Sequence, residues 1–363
     1  MARVIFGALS WGLGHVTRDL PIIHSLLDHG HHVSVATSGR ALQLLRQDAP
    51  QCDLVEFPDY PAPYSKRGFF VTKFAFNLNH LFLAIHRERA AARRLIDAGD
   101  YDLVISDNRF NFFHPDLPSF FISHQLKFAF PAPLQGLTLV SGFYNARYHR
   151  QYRRVIVPDY PDPHHCLSGI LSHGFPVNLS RPYYAGVLAS VRKLNLPRDI
   201  DLFISISGPE PQRTAFENLV RAQLPSLPRD WNVVVTLGKP GGPETPETLG
   251  NVTIHSFCGR PMQQEMLNRA KMVVARTGYT TVMELAELNT KALLIPTPGQ
   301  TEQVYLGNLY RKLALFHCVS QRNLDLLRDI EIARTFPGIT WDCSTADSVN
   351  RLYQDLFAPI LDK

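Results

Sequence analysis

Short apolar runs alternate with longer amphipathic stretches along the chain. In the first half, the apolar runs at 4–8, 32–36, 103–106, 119–122 and 155–157 are typical of buried strands. An amphipathic segment from 17 to 29 follows the first run, and Gly30 is a helix stop. Strands separated by helices predict a parallel sheet with helices on both faces.

A second set of apolar runs begins near residue 200, at 202–206, 232–236, 252–254, 272–275 and 292–295. Residues 181–198 lie between the sets and are interpreted as a linker region. We therefore predict two Rossmann-like domains, at 1–190 and 197–345, and a C-terminal helix at 346–363 that packs back toward the N-terminal domain.

One long segment, 71–96, has apolar residues at helical spacing and four arginines toward its end: Arg87, Arg89, Arg93 and Arg94. Most such helices pack on a sheet. Phe69, Phe70 and Phe76 nearby leave the alternative of an element that contacts a membrane or binds lipid.

Composition narrows the class of protein. A chain of 363 residues with 45% hydrophobic and 19% charged residues fits two folded domains. It has no run of roughly 18 apolar residues that would cross a membrane. The first residues enter a strand at once without a signal-peptide pattern, so we expect a cytoplasmic protein. Five scattered cysteines without a C-x-x-C pair favour neither disulfides nor zinc.

The net charge of +5 is uneven. Residues 1–193 hold 20 Lys/Arg against 14 Asp/Glu, whereas the remainder holds 17 against 18. The basic excess fits a solvated helix face, or peripheral contact with an anionic membrane. Nucleic acid is not an expected partner, because no recognised binding motif accompanies the charge.

The segment 273–284 combines a buried strand, a glycine turn with hydroxyls and a helix start. Such a helix start offers N–H groups to a diphosphate, Gly278 permits close approach, and Thr280 and Thr281 can cap the helix or bind phosphate. Glu284, one turn on, could accept hydrogen bonds from a ribose. The alternative is an ordinary capped helix with a surface glutamate.

A similar arrangement follows at 294–303. The turn there leads into a helix start that carries Gln300, Glu302 and Gln303, whose amides and carboxylate can hold sugar hydroxyls. The alternative is a plain Pro-Gly turn before a helix. Two such loops after adjacent strands favour a binding site over coincidence.

Together, 276–284 and 296–303 resemble the C-terminal domain of family 28 glycosyltransferases, a group with the two-domain GT-B fold. The resemblance implies two Rossmann-like domains whose parallel sheets face an interdomain cleft, with the acceptor bound by the first domain and the nucleotide sugar by the second. It implies a UDP-sugar donor held by Ser207, Gly208, Phe257, Cys258, Arg276, Thr277, Gly278, Thr280, Thr281, Glu284, Gln300, Glu302 and Gln303. The chain departs from the family at Pro209 and Pro211, which puts phosphate contact by the Ser207–Gly208 loop in doubt.

The N-terminal loop 10–15 ends in Gly-His and resembles the family's glycine-rich loop. It is not a dinucleotide fingerprint, because Thr17 occupies the position of the third glycine. A histidine can accept a proton from an acceptor hydroxyl near neutral pH, so His15 is the candidate base. The alternative for His15 is a capping or packing role.

Asp107 ends a strand and could orient His15 and stabilise its protonated form. Plant-type family 1 glycosyltransferases resemble this arrangement. The alternative is that Asp107 caps the next turn. The remaining candidates are expected on the acceptor side: Trp11, Gly12, Gly14, Asn108, Arg109 and His124.

These features predict an inverting hexosyltransferase that needs no metal and no cofactor beyond its UDP-sugar co-substrate. The acceptor is not identified, and the resemblance implies a lipid or cell-envelope glycan as one option. Two alternatives remain open. One is a UDP-sugar 2-epimerase, which would need further acid/base carboxylates, and the other is a non-catalytic protein that binds sugar nucleotides.

Overall fold

The protein is described from a computed structural model that covers residues 1–60 and 70–362, with the side chains of 70–83 and 132 outside the description. The chain divides into two compact units. Unit 1 holds the described residues of Met1–Pro63, Val71–Ser190 and Cys343–Lys363, and unit 2 holds Val191–Asp342.

Unit 1 is built on seven strands. They are β1 Arg3–Ala8, β2 His32–Thr37, β3 Asp53–Glu56, β4 Leu103–Asp107, β5 Ser119–Ile122, β6 Arg154–Val157 and β7 Pro182–Tyr184. All pairings are parallel, in the order β3-β2-β1-β4-β5-β6-β7. The near-continuous apolar sequence of the central strands follows from burial on both faces.

Unit 2 repeats the plan. Its strands are β8 Leu202–Ser205, β9 Val233–Thr236, β10 Glu247–Leu249, β11 Val252–His255, β12 Val273–Arg276, β13 Ala292–Ile295 and β14 His317–Cys318. The order is β10-β11-β9-β8-β12-β13-β14, and β10 alone among these strands runs antiparallel to its neighbour. Its core includes Ile204, Val235, Val274 and Leu293, one from each central strand.

Helices connect the strands of both sheets. Their bounds are α1 Leu13–Asp28, α2 Gly39–Asp48, α3 Phe70–Asp97, α4 Gly136–His149, α5 Gln212–Gln223, α6 Arg260–Arg269, α7 Tyr279–Leu288, α8 Thr301–Lys312, α9 Leu326–Arg334, α10 Thr345–Leu352 and α11 Ala358–Leu361. Among the described helices, none has the length and apolar content needed to cross a bilayer.

The prediction of two Rossmann-like sheets is confirmed, and the backbone of α3 matches the predicted helix at 71–96. The interpretation of Phe69, Phe70 and Phe76 as a lipid-binding element lies outside the described residues and side chains. Four strands were not predicted: β3, β7, β10 and β14. They are the edge strands of the two sheets, and their half-solvated positions do not require a continuous apolar run. The linker interpretation of 181–198 is wrong at β7, where Val155 pairs with Pro182.

The C-terminal segment lies in unit 1. Tyr353 Oη donates to Asp362 at 2.8 Å and lies 2.7 Å from His31 Nε2. The ring of Phe357 packs edge-on against Phe120 of β5, with 5.6 Å between centroids. Residues far apart in sequence therefore share one core.

Candidate active site

Each sheet has a point where the chain leaves neighbouring strands in opposite directions. In unit 1 it lies between β1 and β4, where Ala8 pairs with Asp107, and in unit 2 between β8 and β12. Ligands of open α/β sheets bind at the carboxyl ends of strands at such switch points. The predicted Gly-His loop follows β1, and the predicted loops at Ser207–Gly208 and at 277–281 follow β8 and β12.

His15 and Asp107 are in contact. His15 lies in the first turn of α1, and its Nδ1 is 2.9 Å from Oδ1 of Asp107, the last residue of β4. The carboxylate is fully buried, whereas the imidazole is 22% exposed. A proton on Nδ1 is donated to the carboxylate, which leaves the lone pair on Nε2 to accept a proton. The structure thus brings the two residues of the predicted pair together.

Arg18 completes this cluster and was not predicted from sequence. Its Nε donates to Asp107 Oδ2 at 2.7 Å, and one terminal nitrogen also donates to Oδ1. Another terminal nitrogen lies 2.9 Å from Nδ1 of His124. The spacing of Arg18 from His15 was an available signal, because residues three apart lie on the same face of a helix.

Arg18 keeps Asp107 charged. Burial opposes ionisation of Asp107, but the Arg18 guanidinium, with His15, holds the pKa of this carboxyl well below its ordinary value. His15 Nδ1 also lies 3.0 Å from an Arg18 nitrogen and 3.3 Å from Asn108 Nδ2, and both of these groups can only donate. An ionised carboxylate at 2.9 Å favours the tautomer that carries hydrogen on Nδ1.

Asp19, next to Arg18 on α1, is a fully buried carboxyl behind this cluster. Neither of its oxygens has a hydrogen-bond partner among the described residues. Burial, added to the negative charge of Asp107, raises the pKa of Asp19 well above its ordinary value. No signal in the sequence separated this residue from a solvated aspartate.

Arg109 occupies the interior, which corrects the prediction of an acceptor contact. Its guanidinium pairs with Asp59 at 2.7 Å and Glu88 at 3.1 Å. The loop after β3, which contains Asp59 and Tyr60, also binds the glycine-rich loop at 10–15. Ser10 N donates to Asp59 at 3.0 Å, and Trp11 Nε1 donates to the Tyr60 carbonyl at 2.9 Å. Arg109 therefore fixes the loops around His15 and is not itself available to an acceptor.

The other predicted acceptor-side residues differ in accessibility. His124 is buried against Arg18, so it supports the cluster. Gly12, the N-cap of α1, is exposed, and Trp11, Gly14 and Asn108 are half-buried. These last four lie within reach of solvent near His15.

In unit 2, helix α7 starts directly after the glycine turn at 277–278, which is part of the predicted diphosphate site. Its N-cap is Gly278, which has no side chain to cap the helix, and Thr280 and Thr281 lie in the first turn. That these two residues cap the helix or bind phosphate stays a prediction. The N–H groups of a helix start and the helix dipole favour an anion here.

The neighbouring loops also leave polar groups unused. Gly208, after β8, has φ +119, a conformation that side chains rarely adopt, and a Cβ there would come 4.0 Å from Thr297 Oγ1. The buried hydroxyls of Thr277 and Thr297 have no hydrogen-bond partner among the described residues. Ser207 is exposed beside them. The loops after β8, β12 and β13 thus retain hydrogen-bonding capacity.

Arg276 does not face this opening, which corrects its prediction as a donor contact. Its guanidinium is buried, lies 4.0 Å from the Phe216 ring centre, and donates to Gln321 Oε1 at 2.8 Å and the Gln212 carbonyl at 3.1 Å. Burial lowers the pKa of Arg276 to about 10. Arg276 supports the loops from within.

The residues predicted to contact the donor sugar and the base differ in their burial and in their place on the helices. Gln300 is the N-cap of α8, Glu302 is half-buried in its first turn, and Gln303 Oε1 accepts a hydrogen bond from Thr297 N at 2.8 Å. Glu284 is buried on α7. After β11, the ring of Phe257 is exposed and Cys258 is buried.

One group in the described part of the chain has metal-ligand chemistry: Asp159, Cys166 and His173, with ligand atoms within 4.8 Å of one another. Hydrogen bonds within the protein already involve these side chains. Asp159 accepts from the N–H groups of Leu167 and Ser168, and His173 Nε2 donates to the Tyr160 carbonyl at 2.8 Å. This group forms the polar core of a loop.

Residues 212–309 match the model of the glycosyltransferase family 28 C-terminal domain. The UDP-N-acetylglucosamine–N-acetylmuramyl-(pentapeptide) pyrophosphoryl-undecaprenol N-acetylglucosamine transferase of Opitutus terrae is 25% identical over 174 residues. That match covers 42% of this chain and 44% of the relative, so the chain spans less than half of its length.

Solved structures resemble the whole chain. The glycotransferase of kitacinnamycin superposes with a TM-score of 0.60 at 14% identity, covering 98% of this chain and 95% of that one. A putative UDP-N-acetylglucosamine 2-epimerase from Listeria monocytogenes gives 0.57 at 12% identity, covering 100% and 97%. At these identities the similarity shows the fold alone.

Proposed function

We propose that this chain is an inverting UDP-sugar glycosyltransferase, because residues 212–309 match the family 28 glycosyltransferase C-terminal domain and the whole chain has the GT-B fold. The transferred sugar is a hexose or an N-acetylhexosamine. The observation that carries the proposal is the contact between His15 of the Gly-His loop and the buried Asp107, at 2.9 Å. A binding protein has no need of an oriented, partly exposed base.

The reaction is a direct displacement. His15 Nε2 takes the proton of the acceptor hydroxyl, and the acceptor oxygen forms a bond to the anomeric carbon from the face opposite the leaving group. The bond from that carbon to the diphosphate oxygen breaks, and UDP leaves with the electron pair. Asp107 stabilises the imidazolium that forms, while Arg18 holds the carboxylate in place.

The leaving diphosphate is stabilised by unit 2. The N–H groups at the start of α7 and the hydroxyls of Thr280 and Thr281 take the developing charge, so we propose that no metal or cofactor is required. Turnover that is unchanged after chelation with EDTA would support this. A rate that falls on chelation and returns with one added divalent cation would contradict it.

We propose a lipid-linked acceptor of the cell envelope and a cytoplasmic protein that contacts the membrane peripherally. The support is the name of the Opitutus terrae relative, which includes a pyrophosphoryl-undecaprenol acceptor. The basic excess of residues 1–193 is consistent with an anionic surface.

The first test incubates the purified protein with UDP-, GDP- and dTDP-sugars, with and without a membrane lipid extract. We expect release of UDP from one donor only when the extract is present, together with a glycosylated lipid product of inverted configuration. Nucleotide binding without release under all of these conditions would favour the non-catalytic alternative.

The epimerase is the second candidate, because the Listeria monocytogenes structure covers the whole chain. It predicts interconversion of the donor sugar without any acceptor. Proton NMR of UDP-N-acetylglucosamine incubated with the protein alone separates the two activities, since a transferase leaves the sugar configuration unchanged there.

A further inference from the structure

Asp19 on α1 is a buried carboxyl with no role in the displacement at the anomeric carbon. Arg18 and Asp19 lie three and four residues after His15, so both neighbour His15 on the helix surface. The exposure of Asp19 is 0%. A carboxyl in this position is costly to bury as an anion, because burial removes the water that stabilises its charge.

The surroundings of Asp19 lack the donors that an ionised carboxylate needs. As acceptors, its two oxygens have no hydrogen-bond partner among the described residues. Asp159, an equally buried aspartate of unit 1, differs: it accepts from the N–H groups of Leu167 and Ser168 at 2.8 and 2.9 Å and from the hydroxyls of Ser168 and Ser172. Of these two aspartates, Asp159 is surrounded for a negative charge and Asp19 is not.

The charges of the cluster already balance without Asp19. Both oxygens of Asp107 accept hydrogen bonds from the Arg18 guanidinium, which is therefore matched by one carboxylate. Arg18 also lies 2.9 Å from Nδ1 of His124, and because a guanidinium can only donate, this nitrogen accepts and His124 is neutral. The cluster thus holds one cation and one anion when Asp19 is protonated and His15 is ready to accept a proton.

A protonated Asp19 has an acceptor beside it. The charges that act on Asp19 come from Asp107 at the end of β4 and from Arg18 on its own helix, and the Asp19 O–H donates to Asp107. Burial and then the negative charge of Asp107 raise the pKa of Asp19 well above its ordinary value, and the positive charge of Arg18 does not offset them. Two carboxyl groups placed together in a protein interior cannot both ionise, so one of them keeps a proton.

The protonation state of Asp19 decides what His15 can do. An ionised Asp19 would add a second negative charge beside Asp107 and favour the imidazolium form of His15, which has no lone pair for the proton of the acceptor. A neutral Asp19 leaves Asp107 as the carboxylate that orients Nδ1 of His15, at 2.9 Å, and leaves Nε2 free. Its O–H also adds a donor to Asp107 beside those of Arg18.

We propose that Asp19 is a positioning residue that remains a neutral acid at neutral pH and donates a hydrogen bond to Asp107, so that His15 stays an oriented, unprotonated base. The inference deepens the proposed function and rests on it for catalysis. Asp19 acts through Asp107 and neither gains nor loses a proton during the displacement. The proton of the acceptor hydroxyl passes to His15.

The protonation state of Asp19 can be measured without turnover. Carbon NMR of the full chain, labelled at the aspartate carboxyl carbons, follows the Asp19 resonance, which is identified by its absence from Asp19→Asn. We expect the chemical shift of a neutral carboxylic acid at neutral pH. The chemical shift of a carboxylate under these conditions would overturn the proposal, independently of any activity with UDP-sugars.

Urea unfolding compares the two buried aspartates. The contribution of Asp19 to stability is fully present below the unfolded carboxyl pKa of about 3.9 and is lost as the pH rises through its raised folded pKa. Asp19→Asn should therefore raise the urea midpoint at neutral pH, and the gain should shrink toward about pH 4. Asp159→Asn should lower the midpoint, because an amide cannot accept from all the donors around it. Similar losses in both variants would assign an anion to Asp19 and contradict the proposal.

Two substitutions at Asp19 separate its hydrogen bond from its volume. Asp19→Asn keeps a neutral donor of the same shape, so kcat and the acid limb of the kcat–pH profile should match those of the parent. Asp19→Leu stays neutral but removes the donor, and kcat should fall on the order of tenfold at unchanged UDP affinity. Thr37→Val removes a buried hydroxyl on β2 that has no partner among the described residues, and this control should keep the parent kcat.

Circular dichroism and thermal melting check that each variant remains folded. An acid limb that moves to lower pH in Asp19→Asn would show that the parent carries a negative charge at this position. A kcat of Asp19→Leu equal to that of the parent would show that the donor does not position Asp107. Either result overturns the proposal, whereas absence of transfer by the parent contradicts the proposed function and leaves the NMR measurement of the neutral acid valid.

Discussion

In unit 1, the carboxyl ends of β1 and β4 hold a compact titratable cluster, in which Asp107 is shared by His15 and Arg18. In unit 2, the ends of β8, β12 and β13 hold a glycine of positive φ, a helix start with a glycine N-cap, and two buried hydroxyls with no hydrogen-bond partner among the described residues. The central strand order is the same in both sheets. The sheet therefore fixes where a ligand binds, whereas the residues of the loops decide whether that place moves a proton or holds an anion.

The sharpest test of this comparison is His15→Gln. Loss of the base should lower kcat by about 10²- to 10⁴-fold, because proton transfer to a positioned side chain contributes that much. The affinity for UDP, measured by calorimetry, should not change, since unit 2 holds the nucleotide. His24→Gln, an exposed histidine on the same helix, is the control and should keep full activity. Weakened UDP binding by His15→Gln would break the division of roles.

Asp107→Asn should destabilise the protein by about 3–5 kcal/mol, because the buried Arg18 guanidinium then has no counter-ion from this residue. Urea unfolding measures the change. Asp28→Asn, at an exposed position at the end of α1, the helix that carries Arg18, should remain within about 0.5 kcal/mol of the parent. A similar small effect for Asp107→Asn would mean that the cluster is not a buried ion pair.

Arg18→Lys keeps the charge but loses the planar fork, at a cost of about 1.5–3 kcal/mol for a hydrogen bond to a charged group. The depressed pKa of Asp107 stabilises the fold above the unfolded carboxyl pKa of about 3.9 and ceases to do so as the pH falls through the folded pKa. Because the variant pairs more weakly with Asp107, the pKa of Asp107 in the folded state rises, and acid unfolding should begin at a higher pH.

Thermal melting across an acid pH series measures this shift. Arg46→Lys, at an exposed position on α2, is the control. An acid midpoint for Arg18→Lys equal to that of the parent would show that Arg18 does not hold the carboxylate in its charged form.

Gly208→Ala tests unit 2. A Cβ at φ +119 is strained, so we expect a loss of about 1–2 kcal/mol in stability and roughly tenfold weaker UDP binding as the loop shifts. Gly250→Ala is the matched control, because Gly250 also has positive φ, +63, and open space around it, but lies in the turn between β10 and β11. It should lose stability and keep its UDP affinity. Equal affinity losses in both variants would attribute the effect to strain alone.

The backbone of this protein is more predictable from sequence than the positions of its side chains. The central strands and the two switch-point loops could be predicted, because apolar runs and glycine turns are local signals. The edge strands could not, since their half-solvated sequences resemble loops. Arg109 and Arg276 were expected at ligands but are buried, because their partners come from distant segments: Asp59 and Glu88 for one, Gln212 and Gln321 for the other.

The two α/β halves, the Gly-His loop and the glycine-hydroxyl turn before α7 can be identified from sequence, because hydrophobic periodicity and glycine positions are local properties of the chain. In contrast, it takes the folded structure to show that Arg18 binds Asp107, that Asp19 is buried near them, and that α4 exposes apolar side chains. Burial and ion pairing depend on which side chains meet across the fold, and a local pattern does not contain that information.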